Sequence, residues 1–125
     1  MFISFIAGFT LSSSEAPIWI FADLTLPFVP ELLSFEVESQ ANTPGLTKTT
    51  EMFNFTTGVF DVLDTTSESF NTDSIVNVDL TDDIGLYVEG NSNAALARIG
   101  WRQTGFTLVF PWEARIDHVV WNLNL

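Results

Sequence analysis

Hydrophobic and polar residues alternate along much of this 125-residue chain with a period of two, which is the spacing of a half-buried β-strand. The alternation is clearest at residues 18–26 and 33–38. Pro27 and Pro30 follow the first of these segments, and proline cannot donate a hydrogen bond to a sheet. No segment of useful length shows the spacing of an amphipathic helix. The pattern therefore predicts an all-β chain.

Turn signals divide this pattern into short strands. Thr56, Thr57 and Gly58 lie between Glu51–Phe55 and Val59–Thr65, and a glycine in such a turn supplies the positive φ that hairpins often need. These two segments are predicted to form an antiparallel hairpin. A single helical turn is predicted at residues 82–84, with its amino end capped by Thr81.

About nine short strands are expected in all, and they suggest a sandwich or a barrel. The fold class predicted is an all-β, jelly-roll-like antiparallel β-sandwich that forms one domain over residues 1–125. The remaining strands are predicted at Phe2–Thr10, Ile75–Leu80, Ala94–Arg102, Phe106–Phe110 and Arg115–Leu123.

The charge balance narrows the range of partners. Acidic residues number 16 and basic residues 4, so the net charge is −12. Such a chain repels the phosphates of nucleic acid and the surface of an anionic membrane. No apolar run reaches the length of a membrane span, so no membrane insertion is predicted. The chain has no cysteine, which excludes disulfides and thiolate metal sites. No cofactor is predicted.

Arginine and tryptophan are concentrated in residues 97–123. Alternation in the strand from Ala94 places Trp101 on the core face and both Arg98 and Arg102 on the opposite face. In the last strand it places Asp117 on the same face as Val119 and Trp121, where a lone carboxylate would be costly. We therefore predict a structural ion pair between Asp117 and one of three arginines. The three are Arg98, Arg102 and Arg115.

Two segments carry a family resemblance. ANTPGLTKTTEMFNFTTGVFDVLDTTSESFN, followed by ARIGWRQTGFTLVFPWEARIDHVVW, resembles poorly characterised β-rich modules of bacterial secreted multi-domain proteins, often near a C-terminal anchoring or dockerin-like segment. The resemblance implies an extracellular or cell-surface setting and no known chemistry. The residues 1–6 are shorter than the upstream part of such modules, and no basic residue precedes Lys48 as a signal peptide would need. The expectation is a start that is truncated relative to the family.

Catalytic and metal chemistry are weakly supported by the sequence. His118 is the only histidine, and its neighbour Asp117 would point to the opposite face of a strand, where it cannot orient the ring. No catalytic residue is predicted. Asp79, Asp82 and Asp83 are weak Ca²⁺ ligand candidates, but they lack the spacing of an EF-hand, and no required metal is expected.

Carbohydrate binding is the sharper alternative. Trp19 and Phe21 alternate with a more regular apolar face, and Trp112 with Glu113 follows Pro111 at a strand end. Trp19, Trp112 and Glu113 are therefore the glycan-binding candidates. The predicted function is a non-catalytic structural or interaction module whose partners are other protein domains or extracellular polysaccharide. A carbohydrate-binding module is the alternative, and a glycoside hydrolase-like enzyme is the third.

Overall fold

A computed structural model describes residues 2–6, 9–13, 18–26, 29–109 and 111–124, with side chains described from 21 onward except at 27–28, 110 and 124–125. The chain is all-β, as predicted, with one helical turn in the described part, α1. The elements are β1 (Phe2–Ile6), β2 (Phe9–Ser13), β3 (Ile18–Thr25), β4 (Leu32–Ala41), β5 (Leu46–Asn54), β6 (Val59–Ser67), β7 (Ser74–Leu80), α1 (Ile84–Tyr87), β8 (Ala94–Gln103) and β9 (Trp112–Asn124).

The strands form two antiparallel sheets. One has the order β1–β9–β4–β7, with β2 also paired to β9, and the other has the order β3–β8–β5–β6. Strands that follow each other in sequence mostly lie in different sheets, so the pairings join distant parts of the chain. Buried residues of both sheets form one hydrophobic cluster. The core therefore lies between the two sheets and leaves each sheet one outer face.

The predicted strand count needs correction. The two sheets are built mainly from seven strands, β3 to β9. The five-residue segments β1 and β2 pair with successive parts of β9. The predicted strand Phe2–Thr10 is thus divided between β1 and β2. The described residues of the predicted strand Phe106–Phe110 are not in a strand, because Leu108 N donates to the Thr43 hydroxyl at 2.6 Å instead of to a neighbouring strand.

The predicted hairpin is confirmed. β5 and β6 are antiparallel, and Asn54 pairs with Val59 at the turn. The amides of Thr56 and Thr57 donate to Asn54 Oδ1 at 2.9 and 3.1 Å, and Gly58 has φ +78°. An asparagine side chain that accepts from the next amides fixes such a turn locally. The turn therefore sets the register of the four pairs next to it, and the register shifts farther along, between Thr50 and Glu51.

The core is built from large aromatic residues. Trp101, Trp112 and Trp121 are each 0% exposed, and the rings of Phe35 and Trp121 are 4.7 Å apart. The predicted core face of β8 is confirmed, since Ala95, Ala97, Ile99 and Trp101 are all buried.

The faces predicted for β9 are wrong because a β-bulge interrupts the strand. Ile116 and Val119 are both buried, and the two residues between them, Asp117 and His118, are partly exposed. Register with β4 shifts at this place, so that Glu38 pairs with His118 and Ser39 pairs with Ile116. One extra residue in a strand reverses the alternation beyond it. Asp117 is therefore not on the face of Val119 and Trp121, as strict alternation predicts.

The helical turn is present, but its predicted cap is wrong. Asp83 occupies the N-cap position and makes no side-chain capping hydrogen bond, and Thr81 lies outside the turn. The turn is held by the hairpin instead, since Phe55 N donates to Leu86 O at 2.8 Å and Tyr87 donates to Asp61 Oδ2 at 2.8 Å. Within the described ranges, no helix has the length and apolar character that crossing a membrane requires.

Candidate functional site

The outer face of the β3–β8–β5–β6 sheet carries an aromatic patch beside charged side chains. We call Phe21, Phe53, Phe55 and Phe60 the aromatic patch. Phe60 lies 5.2 Å from Phe53 and 6.2 Å from Phe21, and Phe53 lies 4.9 Å from Phe55, all with edge-to-face geometry. Such pairs are favourable beyond the area they bury, by about 0.5–1.5 kcal/mol each. Phe21 is 57% exposed, so one ring of the patch is open to solvent.

Arg98 connects the aromatic patch to an ion pair. Its guanidinium lies 3.9 Å from the centre of the Phe60 ring, and it donates to Glu51 Oε1 from Nη2 at 2.9 Å and from Nε at 3.3 Å. Sheet register brings these residues together, because Arg98 pairs with Phe21 on one side and with Glu51 on the other. The ion pair is partly covered, with side-chain exposures of 27% and 7%, so solvent screens it less than a surface pair.

A groove lies next to the patch on the same face. Gly100, between Arg98 and Arg102, has no side chain, and a depression of about 250 Å³ lies over it. Its lining is Thr47, Thr49, Glu51, Gly100, Trp101, Arg102 and Thr104. The Thr47 and Thr104 hydroxyls are 2.6 Å apart and close one end of the groove with a hydrogen bond. The groove thus offers hydroxyl, carboxylate and guanidinium groups beside exposed rings.

A second depression borders the patch on its other side. Phe21, Leu24, Phe55 and Leu96 contribute apolar surface to it, together with Asp23, Thr25, Ala94 and Ala95. The aromatic patch therefore separates two concave regions, and both combine apolar surface with a few polar groups.

A cluster of titratable groups lies on the other sheet, at the bulge of β9. Carboxylate oxygens of Glu38, Asp73 and Asp117 lie within 4.8 Å of one another, a spacing suited to an oxygen-ligated cation. The hydrogen bond that Asp73 donates to Asp117, with some burial and the nearby charges of Asp117 and Glu38, raises the pKa of Asp73. The raised pKa of Asp73 follows from this hydrogen bond and from the repulsion between carboxylates that lie in contact.

Two basic side chains, Arg115 and His118, lie beside this cluster. Arg115 Nε lies 3.3 Å from Asp117 Oδ1, and the Arg115 side chain is 58% exposed. His118 Nε2 lies 3.0 Å from Glu36 and Nδ1 lies 3.5 Å from Glu38. The Arg115–Asp117 pair joins Asp117 to one of the three arginines that the sequence named, and both residues lie on β9.

The other site candidates predicted from the sequence lie apart from one another. Trp112 is fully buried as the first residue of β9, so its predicted exposure for glycan binding is wrong. Glu113 is exposed at that strand end, away from the aromatic patch, and its amide donates to Asn42 Oδ1 at 2.9 Å. The backbone of Trp19 pairs with Gly100, but its side chain lies outside the described residues. Arg102 lines the groove, and Arg98 belongs to the patch.

The weak calcium candidates do not come together. Among the described residues, the three carboxylates that converge are those of Glu38, Asp73 and Asp117, and Asp79, Asp82 and Asp83 form no such group. Asp79 instead accepts from Asn77 at 2.8 Å. Phe21 was predicted as outward and is exposed, whereas Phe60 and Glu51 were missed because only the sheet register brings them beside Arg98.

No protein-family model matches the sequence, and no curated protein matches it. Among solved structures, the chain is similar to infectious bursal disease virus, Gx strain (TM-score 0.56, 13% identity, 98% of this chain and 32% of that chain). It is also similar to the enzymatically active domain of tailspike protein 4 of bacteriophage CBA120 (TM-score 0.52, 13% identity, 93% and 15% covered). A CBM36-1 domain of a xylanase from the hindgut metagenome of Trinervitermes trinervoides is more distant (TM-score 0.46, 11% identity, 90% and 75% covered).

These likenesses concern the fold alone. The chain spans about a third of the viral chain and less than a sixth of the tailspike chain. At such identities neither likeness transfers a ligand or an activity, and the most distant one carries no argument.

Proposed function

We propose that this chain is a non-catalytic binding module of an extracellular or cell-surface, multi-domain bacterial protein, with its ligand on the outer face of the β3–β8–β5–β6 sheet. The observation that carries the proposal is the aromatic patch, which stands with Arg98 and Glu51 beside the groove over Gly100. The setting follows from the resemblance of the sequence to bacterial secreted modules.

The proposed architecture is a jelly-roll sandwich. Because β1 and β2 pair with successive parts of β9, they occupy one edge position, and each sheet then has four strand positions. Two four-stranded sheets whose strands alternate in sequence between the sheets are typical of a jelly roll. In this architecture the aromatic patch lies on an uncovered sheet face.

The ligand class that suits this face is a polysaccharide chain. Sugar rings present flat apolar faces that stack on aromatic side chains, and their hydroxyls bond to carboxylate, guanidinium and threonine groups. Phe21 supplies an exposed ring beside Arg98, and Thr49, Thr47 and Arg102 supply polar groups two to four residues farther along the paired strands. Pockets that combine apolar surface with a few convergent polar groups are the usual form of small-ligand sites.

Affinity electrophoresis in gels that contain a panel of plant and bacterial polysaccharides tests this proposal. At least one polysaccharide should retard the wild-type chain, and Phe21→Ala should weaken the retardation about tenfold, since an aromatic contact of about 1.4 kcal/mol corresponds to that factor. Phe106→Ala is the matched control, because Phe106 is 81% exposed on a loop away from the patch. Retardation that is equal in both variants, or absent with every polysaccharide, contradicts the proposal.

A second candidate function is contact with another domain of the same protein. Phe106, Leu108 and Val109 are 81%, 60% and 42% exposed on one loop, and contiguous exposed apolar residues mark interaction surfaces. Size-exclusion chromatography of the module mixed with each flanking domain of its parent polypeptide tests this function. Co-elution that Phe106→Ser abolishes and Phe21→Ala preserves favours the domain contact.

We propose no catalytic role for His118. Both of its ring nitrogens face carboxylates, Glu36 at 3.0 Å and Glu38 at 3.5 Å, and a catalytic base needs one nitrogen directed at a nucleophile. A screen of hydrolase substrates with wild type and His118→Ala tests this assignment. An activity that His118→Ala removes overturns it.

A further inference from the structure

A polar cluster lies in the core, away from the proposed ligand face. Lys48, on β5, and Glu68, directly after β6, have side-chain exposures of 0%, and Lys48 Nζ lies 3.6 Å from Glu68 Oε2. Removing two charges from water is costly, and a buried ion pair often adds little stability over an apolar pair. The chain has no cysteine and therefore no disulfide. A covalent bond between its strands would need other side chains, and an amine in contact with a carboxyl group can form one.

Hydrogen-bond donors converge on the Glu68 carboxyl. Ser39 Oγ donates to Oε2 at 2.6 Å, and Trp101 Nε1 donates to the same oxygen at 2.8 Å. The amide of Ser69 donates to the other oxygen, Oε1, at 2.8 Å. Two fixed donors on one carboxyl oxygen, in a fully buried site, are the arrangement that stabilises a tetrahedral intermediate in acyl transfer.

The amine also has the environment of a nucleophile. Lys48 Nζ donates to Ser39 Oγ at 2.7 Å, which holds it beside Glu68. Burial lowers the pKa of Lys48, against the opposing effects of Glu68 and Asp64, and so favours the uncharged amine. Among the described residues, the buried Asp64 Oδ2 has no hydrogen-bond partner, and the negative charge of Asp64 acts on the same amine through coulombic attraction.

We propose that Lys48 and Glu68 react to form an intramolecular amide bond. A proton first passes from the ammonium to the Glu68 carboxylate, which leaves an amine and a carboxylic acid. Nζ then attacks Cδ, and the developing charge on Oε2 is stabilised by Trp101 Nε1–H and the Ser39 hydroxyl. Ser39 Oγ, which accepts from Nζ at 2.7 Å and donates to Oε2 at 2.6 Å, passes the surplus proton from the nitrogen to Oε2, and the neutral intermediate then collapses to the amide as Oε1 leaves in a water molecule. One N–C bond forms, one C–O bond breaks, and one water is released without any oxidant or co-reactant.

The amide would join β5 to the end of β6 in the core. It would replace a buried ion pair by a neutral group that keeps the donors Ser39 and Trp101 satisfied. A covalent closure between residues 48 and 68 restricts the unfolded chain, as a disulfide does in proteins that have cysteine. Such a link suits a module that is exposed to proteases outside the cell.

Intact-mass spectrometry of the purified wild-type chain under denaturing conditions tests the proposal. The chain, first shown to be folded by a cooperative thermal transition, should be lighter than its sequence by the mass of one water. Peptide mapping should find the Lys48 peptide joined to the Glu68 peptide. Lys48→Met and Glu68→Ala should have their full sequence masses. Glu51→Gln is the matched control, because it removes an acid from the Arg98 pair and should keep the water loss.

A wild-type chain that is folded and has its full sequence mass, also after several days at room temperature, overturns the proposal. A water loss that peptide mapping assigns to Asp64, or to dehydration of an aspartate without a cross-link, overturns it as well. The decisive measurement is made on the wild-type chain, so it does not depend on whether a core variant folds.

Discussion

Two buried tryptophans in the core differ in whether the indole N–H has a hydrogen-bond partner. Trp101 and Trp121 are both 0% exposed, but Trp101 Nε1 donates to Glu68, whereas Trp121 Nε1 has no hydrogen-bond partner among the described residues. Trp101→Phe removes a donor from a carboxylate and Trp121→Phe removes an unpaired N–H. We expect Trp101→Phe to lower the free energy of unfolding by about 1.5–3 kcal/mol more than Trp121→Phe does. Urea unfolding of both variants measures this difference, and equal costs would contradict the hydrogen-bond argument.

Tyr87 offers a second test at the scale of single residues, because it is the only tyrosine in the chain. Burial, followed by its hydrogen bond to Asp61 and the nearby negative charges, raises the pKa of Tyr87 to about 12 from 10.0. The folded state thus holds the phenol proton more strongly than the unfolded state, so this group's stabilisation is complete below pH 10 and lost as the pH rises towards 12. Tyrosinate absorbance against pH should show a midpoint near 12.

Asp61→Asn is the control for that titration. It keeps the burial of Tyr87 and removes the negative charge, so the midpoint should fall only part of the way towards 10.0. A wild-type midpoint at the ordinary value for tyrosine would show that the phenol is open to solvent.

At the scale of elements, two glycines with positive φ predict different costs of substitution. Gly45 has φ +91°, and a Cβ there would lie 2.3 Å from Phe106 O, whereas Gly58 has φ +78° and a Cβ there would meet nothing within 4 Å. Gly58→Ala should cost about 1–2 kcal/mol, the strain of a left-handed residue. Gly45→Ala should cost more, because the loop after β8 must also move. Urea unfolding compares the two, and equal costs would show that the loop yields freely.

The alternation of hydrophobic and polar residues predicted strands correctly where the alternation is regular. The hairpin of β5 and β6 and the buried face of β8 follow from local sequence, because the turn residues and the apolar positions are adjacent in the chain. The bulge at Asp117 and His118 does not, since it arises from the register between β4 and β9, which are far apart in sequence. The predicted strand Phe106–Phe110 has the composition of a strand, but its described residues lie outside the sheets, where Leu108 N donates to the Thr43 hydroxyl.

The sequence predicted only part of the candidate site, as it predicted only part of the fold. Phe21 was expected to point outward from the alternation in β3, and it is exposed. Phe60, Glu51 and Arg98 become neighbours only through pairings between β3, β8, β5 and β6. Trp112 was misassigned because a tryptophan after a proline is typical of a loop, whereas the strand β9 begins there and buries it. The local pattern thus predicts which side chains are exposed, whereas the pairing of strands that are distant in sequence determines which side chains meet in the site.

For the whole molecule, the net charge of −12 makes the grouping of carboxylates costly. Glu38, Asp73 and Asp117 converge at the bulge of β9, and two basic groups, Arg115 and His118, lie beside them. Arg115 is mostly exposed, so it offsets only part of the repulsion. The stability of the chain should therefore depend on pH through this cluster.

Asp73 gives the sign of that dependence. Its pKa in the folded state is raised above 3.8, mainly by the hydrogen bond with Asp117, so the folded state binds this proton more strongly than the unfolded state. The contribution is fully present below pH 3.8 and is lost as the pH rises through the raised pKa. Asp73→Asn keeps a neutral hydrogen-bonding group at all pH values. It should raise the urea midpoint at neutral pH relative to wild type and remove this part of the pH dependence. Asp82→Asn, which changes the net charge equally and lies outside the cluster, should leave that pH dependence in place. If both variants raise the neutral-pH midpoint equally, the effect belongs to net charge and not to the contact between Asp73 and Asp117.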